Sequence, residues 1–159
     1  MVSIKDAAAP FLANRRIAVT GVSRDAKSGH GSNVVYQRLK ERGYEVFAVN
    51  PNAEQVAGDR AYPSLRAIPG GVDAVVIGTR PERAAATMEE CAELGIGQVW
   101  MHRSVGGGSV DEKAATWGRE HGMTVIAGGC PLMFDPVSDT GHKIMRAVFT
   151  MNHHVPRAV

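Results

Sequence analysis

Short apolar runs alternate with longer amphipathic segments along the chain, and this alternation predicts strands and helices in turn. The runs that indicate strands are 17–20, 44–49, 74–78, 99–101 and 124–127. In the segments around them, apolar residues recur at helical spacing, and the predicted helices are 4–14, 33–42, 81–94, 109–121 and 142–152. The segment 55–63 reads as a loop, and a short helix is predicted over 64–68.

The alternation of five strands with helices predicts an α/β fold. We expect a single Rossmann-like domain, an open and mostly parallel five-stranded sheet with helices on both faces. The 159 residues fit one domain. Its expected parts are a leading helix over 4–14, a core over about 15–131 and a C-terminal helix over about 142–152. Ligands of such sheets bind outside the carboxyl ends of the strands, so the loops that follow the strands are the candidate sites.

The loop after the first predicted strand has the most informative composition. Gly21 closes the strand, and a long polar loop with two cations, Arg24 and Lys27, leads into the next helix. The first-turn N–H groups of a helix have no intrahelical partner and carry a positive dipole, so a phosphate can bind there. The loop is longer than the Gly-x-Gly-x-x-Gly turn of dinucleotide sites. We interpret it as a phosphate loop; the alternative is a solvated glycine-rich turn.

Two further loops carry candidate ligand contacts. The second strand ends at Asn50-Pro51, where an NAD enzyme would carry a carboxylate for the adenosine ribose, and this weakens the case for NAD. Asn50 could still bind an adenine or a ribose, although Asn-Pro is also a common end of a strand. After the third strand, Thr79, Arg80 and Pro81 could border the ligand, or Thr79 could simply cap the following helix.

Cysteine and histidine patterns favour no catalytic or metal chemistry. The two cysteines, Cys91 and Cys130, are far apart, so a disulfide framework is not expected. Cys130 follows the fifth strand, but no histidine lies near it in sequence to activate it, which favours a structural role. The histidines 102, 121, 142, 153 and 154 show no ligand spacing for a metal. No Gly-x-Ser-x-Gly turn and no P-loop are present.

Charge and hydropathy narrow the class of partner. The formal net charge is only +2 and no basic run is present, so nucleic acid is not an expected partner. No apolar run approaches the ~20 residues of a membrane span. The first residues lack the cationic and apolar segments of a signal peptide, and we expect a cytoplasmic protein.

An ordered series of motifs resembles a known family. The motifs are Gly21-Val-Ser-Arg-Asp, Gly43-Tyr-Glu-Val-Phe-Ala-Val-Asn-Pro51, Tyr62-Pro-Ser-Leu65 and Val72-Asp-Ala-Val-Val-Ile77. Together they resemble the small bacterial CoA-binding proteins, which are similar to the CoA-binding domain of the succinyl-CoA synthetase α-subunit. The similarity runs from about Phe11 to Cys130-Pro131.

Two segments depart from the family pattern. The first loop commonly carries proline before the helix, whereas this chain reads Lys27-Ser-Gly-His-Gly-Ser32. After Cys130-Pro131 the family usually continues with charged residues, whereas this chain continues Leu132-Met-Phe-Asp-Pro136. The family's ligand contacts therefore do not carry over to 28–32 of the first loop, and the family pattern does not predict the role of the segment after Pro131.

The resemblance implies a site for CoA or a short acyl-CoA. The residues it assigns to cofactor binding are Gly21, Val22, Ser23, Arg24, Lys27, Asn50, Pro51, Thr79, Arg80, Pro81 and Cys130. A synthetase also needs a phosphohistidine and a nucleotide-grasp domain, which this chain does not supply, so we expect a binding module without its own catalysis: a sensor, carrier or regulatory module.

Two other readings of the same residues stay open at this point. One is an NAD(P)-binding oxidoreductase or redox sensor. The other is a mixed disulfide between Cys130 and the CoA thiol. The expected partner is a small nucleotide ligand, and the sequence leaves a homodimer or a protein partner open.

Overall fold

The computed structural model describes residues 2–25, 31–103, 108–152 and 155–159. These residues form five α-helices, seven strands and two short 3₁₀ turns, over Pro81–Arg83 and Pro131–Met133. The helices are α1 (Ile4–Ala13), α2 (Gly31–Glu41), α3 (Ala84–Glu93), α4 (Glu112–Glu120) and α5 (Thr140–Met151). The strands are β1 (Arg16–Thr20), β2 (Glu45–Val49), β3 (Gln55–Val56), β4 (Asp59–Tyr62), β5 (Ala74–Ile77), β6 (Gln98–Met101) and β7 (Thr124–Ala127). None of the described helices is long and apolar enough to cross a membrane.

The strands form one sheet in the order β3-β4-β2-β1-β5-β6-β7. All neighbours pair in parallel except β3 and β4, which form an antiparallel hairpin. The α/β, mostly parallel fold is therefore confirmed, but the sheet has seven strands and not five. The segment 55–63, predicted as a loop, contains this hairpin. Its two-residue turn places Ala57 and Gly58 at positive φ, which suits the twist of a hairpin.

Two predicted helices differ from the structure. The segment 64–68 forms isolated turns and no helix. The helix predicted from Ser109 begins at Glu112, because the Asp111 side chain caps it by accepting from the N–H groups of Lys113 and Ala114. Ser109 instead donates its backbone N–H to His102 and is buried.

The two faces of the sheet are covered by different helices. Alternate residues of a strand point to opposite faces, so Ile17 and Val19 of β1 pack with α1 and α2, whereas Ala18 packs with α3 and α4. The sheet therefore separates two buried hydrophobic clusters, one on each face. At the carboxyl ends of the strands, loops and not helices cover the edge of the sheet.

An aromatic cluster joins α1 and the segment after β7 to the sheet. Trp100 of β6 is fully buried and contacts Phe11 of α1 and Phe134, with ring centroids 5.3 and 5.4 Å apart. Its indole N–H donates to the Gly128 carbonyl oxygen at 2.9 Å. Beside this cluster, backbone N–H groups of Val2 and Val159 donate to each other's carbonyl oxygens at 3.3 and 2.9 Å. Both terminal segments are thus part of the packed fold.

Candidate functional site

The winding of the sheet reverses between β1 and β5. The chain runs outward from β1 to β2 and the hairpin, then returns to place β5 on the other side of β1. The loops after β1 and β5 therefore meet at the carboxyl edge, where ligands of this architecture bind. Gly21 lies at φ +74° there, and a Cβ on it would overlap the Gly78 carbonyl group and lie 2.8 Å from the Thr79 nitrogen. The two loops touch through their backbones.

The N-terminus of α2 is fastened to this reversal point. The Ser32 hydroxyl donates to the Gly78 carbonyl oxygen at 3.1 Å, and the Gly78 N–H donates to the Thr20 hydroxyl at 3.1 Å. Ser32 and Thr20 are both buried. The first turn of α2, with its unpaired N–H groups, is consequently held at the carboxyl ends of β1 and β5. The predicted site residue Lys27 lies outside the described residues.

Two asparagine side chains hold the loop that follows β1. The Asn33 amide accepts from the Ser23 N–H at 2.8 Å and donates to the Ser23 carbonyl oxygen at 2.9 Å. The Asn50 amide donates to the Val22 carbonyl oxygen at 2.9 Å and accepts from the Asn52 N–H at 2.8 Å. The loop is therefore fixed from α2 on one side and from the end of β2 on the other.

These bonds give Asn50 a definite structural role. The sequence assigns it to nucleotide binding, and the structure engages both polar atoms of its side chain within the chain. The next residue, Pro51, is exposed and borders a cleft of about 740 Å³. Pro51 is thus the residue of this pair that presents its side chain to open space.

Two of the predicted cations face solvent. Arg24 and Arg80 are exposed, and neither makes an ion pair with another residue of the described ranges. They follow β1 and β5, the two strands that flank the reversal point. A guanidinium at each loop can contribute charge and hydrogen bonds to a bound phosphate.

Thr79 does not cap the helix that follows it. The 3₁₀ turn Pro81–Arg83 leads directly into α3, and Arg80 at its N-cap position makes no side-chain capping bond. The Thr79 hydroxyl oxygen is buried and has no hydrogen-bond partner among the residues that the structure describes. Such an orphaned group costs about 1–3 kcal/mol. The capping alternative is wrong, and the hydroxyl keeps its hydrogen-bonding capacity.

Two residues at the edge, Asn33 and His102, were not assigned to the site from the sequence. Asn33 belongs to the first turn of α2, where polar side chains are a general signal of a helix start. His102 follows β6, is buried, and packs so closely on α2 that a Cβ on Gly31 would lie 2.8 Å from its Cε1. No local pattern could have indicated that contact, because it joins segments far apart in sequence.

Cys130 lies after β7 and is only 4% exposed. Burial raises the pKa of its thiol to about 12, and burial likewise raises the pKa of the Cys91 thiol to about 12. Both thiols are therefore protonated at neutral pH, whereas nucleophilic attack requires the thiolate. The geometry supports the structural reading of Cys130.

We expect both cysteines to resist a chromogenic aromatic disulfide at pH 7.5 in the folded protein. Their burial and raised thiol pKa values should slow the reaction at least about a hundredfold relative to the protein in urea. The absorbance of the released thiolate measures both rates. A fast reaction of one thiol in the folded protein would contradict this, and Cys130→Ser would show which cysteine had reacted.

The described residues offer little for acid–base or metal chemistry. They contain no group of three or more histidine, cysteine, aspartate or glutamate side chains arranged to hold a metal ion. Where the pKa of one of their carboxyl groups is shifted, as for Asp59, Asp135 and Asp139, hydrogen bonds lower it, so these groups stay ionised at neutral pH. What the carboxyl edge offers is backbone N–H groups, hydroxyls and cations, which suit an anionic ligand.

Comparison with known proteins agrees with this chemistry. Residues 15–136 match the model of the family described as CoA binding domain. The chain is 32% identical to the uncharacterized protein YneT of Bacillus subtilis over 74% of this chain and 82% of YneT. It is 34% identical to the α-subunit of an ADP-forming acetate–CoA ligase of Pyrococcus furiosus, over 76% of this chain but only 27% of that subunit.

A solved structure shows the same fold. A hypothetical protein from Pyrococcus horikoshii superposes with a TM-score of 0.71 and 28% identity, over 79% of this chain and 84% of that one. The family match covers most of the chain, including every residue of the carboxyl edge described above. The chain therefore belongs to the CoA binding domain family.

Proposed function

We propose that the protein binds CoA, or a short acyl-CoA, at the carboxyl edge of its sheet. The family match over residues 15–136 carries the choice of ligand. In this proposal the loop 21–25 and the first turn of α2 hold the diphosphate. The adenosine lies beside Pro51, and the pantetheine arm passes Thr79, Arg80 and Pro81 towards Cys130.

The residues present suit such a ligand. Gly21 brings two loop backbones together without side chains between them, and Asn33 and Asn50 fix the loop before any ligand arrives. A preformed loop loses little conformational entropy on binding. The exposed cations Arg24 and Arg80 complement a diphosphate, and the orphaned Thr79 hydroxyl can bond an amide of the pantetheine arm.

We also propose that the chain acts as a single binding domain over 1–159 without catalysis of its own, as a cytoplasmic sensor, carrier or regulatory module. The acetate–CoA ligase subunit is a relative of which this chain spans 27%. The remaining part of that subunit has no counterpart in the matched region. The protonated, buried Cys130 thiol argues against a disulfide with CoA.

Calorimetric titration with CoA, acetyl-CoA, NAD and NADP tests this proposal. We expect saturable one-to-one binding of CoA and acetyl-CoA and no heat from NAD or NADP. In the same experiment, Arg24→Gln combined with Arg80→Gln should weaken CoA binding about tenfold or more, because two charge-assisted contacts to the diphosphate are lost. Lys5→Gln together with Arg157→Gln removes equal charge from the terminal segments and should leave the affinity unchanged. Binding of NAD or NADP without CoA binding would instead support the oxidoreductase alternative.

A further inference from the structure

A cleft of about 740 Å³ opens beyond the end of β2, next to the proposed adenosine position. Its lining comes from the turn after β2 and from the β3–β4 hairpin, and consists of Pro51, Asn52, Ala53, Glu54, Gln55, Arg60, Ala61 and Pro63. Arg60 is the only cation in this lining. The hairpin that forms the far wall is the part of the sheet that the sequence did not predict.

The guanidinium of Arg60 is directed towards the carboxyl edge. Its central carbon lies 5.3 Å from the centroid of the Tyr62 ring. Tyr62 pairs with Val49, the last residue of β2, so the ring marks the point where β2 ends. A guanidinium over an aromatic ring is held by attraction to the ring face, with its N–H groups still free to donate.

No carboxylate of the described ranges neutralises the positive charge of Arg60. Within the described ranges its side chain makes no ion pair and no hydrogen bond, in contrast to Arg16, which bonds Glu45 and two backbone carbonyl oxygens. The nearby turn 50–55 contains no lysine or arginine. If a ligand bound beside Pro51 carries an anionic group in addition to its diphosphate, Arg60 of the hairpin is the cation of the cleft lining that can pair with it.

We propose that Arg60 binds the 3′-phosphate on the adenosine ribose of CoA. This inference rests on the proposed function, because it takes the adenosine to lie beside Pro51. The phosphate carries about −1.5 to −2 charges at neutral pH, and the planar guanidinium matches it with two parallel hydrogen bonds. Glu54 lines the same cleft, and its carboxylate opposes the phosphate.

Dephospho-CoA lacks only this phosphate, so the ratio of the two dissociation constants isolates the contact. We expect the wild-type protein to bind CoA about tenfold more tightly than dephospho-CoA, as for a solvent-accessible charge-assisted pair. In Arg60→Gln the ratio should fall below about twofold, with the affinity for dephospho-CoA unchanged. Arg60→Lys keeps the charge but loses the two-pronged geometry and should retain an intermediate ratio. Circular dichroism verifies that each variant is folded.

The Glu54 carboxylate in the cleft allows an independent test, in which the expected change is opposite to that of Arg60→Gln. Glu54→Gln removes the repulsion between this carboxylate and the 3′-phosphate, so the preference for CoA over dephospho-CoA should rise above its wild-type value. If Arg60→Gln leaves the ratio of the two dissociation constants unchanged, whether or not it weakens the binding of both ligands equally, the inference is overturned and the proposed function stays intact. If neither ligand binds the wild-type protein, the proposed function fails and the inference with it. NADP binding that depends on Arg60, without CoA binding, would assign the contact to a 2′-phosphate and also overturn it.

Discussion

Gly21→Ala is expected to lower the free energy of unfolding by about 2–5 kcal/mol, the sum of backbone strain at positive φ and a forced overlap. The new methyl group would meet the Gly78 carbonyl group, which belongs to the loop leaving β5. Neither backbone can move easily, because β1 and β5 pair along their length. Urea denaturation followed by circular dichroism measures the change. CoA binding should weaken as well, since the two loops must separate.

Gly95→Ala is the matched control for this substitution. Gly95 has φ +71°, almost the same as Gly21 at +74°, but a Cβ there would meet nothing within 4 Å. Only the strain remains, so we expect a loss of about 1–2 kcal/mol. If both variants lost the same stability, the backbone contact between the loops would contribute nothing, and the description of the reversal point would be wrong.

Phe11→Ala is expected to cost about 3–5 kcal/mol, the usual range for removing a buried phenylalanine. Phe11 is fully buried and packs edge-to-face on Trp100 of β6. It lies on α1, before the first residue of the family match at 15. The expected result means that α1 is an integral part of this fold and not an appendage to it. Chemical denaturation again provides the measurement.

Phe11→Leu distinguishes the loss of volume from the loss of the ring. It keeps most of the buried apolar volume, so we expect a loss of less than about 1.5–2 kcal/mol. A stability of Phe11→Ala close to wild type would show that α1 is not packed on the sheet as described. Tryptophan fluorescence should shift to longer wavelength in Phe11→Ala, because the Trp100 indole would gain contact with water.

Much of the fold follows from local pattern. The run Ala74-Val-Val-Ile77 is apolar throughout, as in a parallel strand covered on both faces, and the structure buries all four residues. Helix ends also carry a local signal, since glycine is common just after a helix: Gly43 lies at φ +85°, two residues after Glu41, the last residue of α2. Such signals lie within a few residues of the feature they predict, and this is why the five predicted strands and the five longer helices are found in the predicted order.

Local sequence pattern could not predict the β3–β4 hairpin or the hydrogen bonds that hold the loops of the site in place. The hairpin turn uses Ala57 at φ +49°, a conformation typical of glycine or asparagine, so the usual sequence signal for a two-residue turn is missing. The bond from Ser32 to Gly78 joins residues 46 positions apart, and the bond from Asn50 to Val22 spans 28. Contacts at such separation are fixed by topology, which only the folded chain displays.

The pairing of Val2 with Val159 has a practical consequence. Both residues border a cavity shared with Gln98 and Thr124, the first residues of β6 and β7. The two ends of the described chain therefore leave the molecule together, at the edge of the sheet opposite the carboxyl edge. An affinity tag fused to either end would attach the protein to a sensor surface through the edge of the sheet that lies opposite the carboxyl edge. The loops after β1 and β5 would then face the flowing solution.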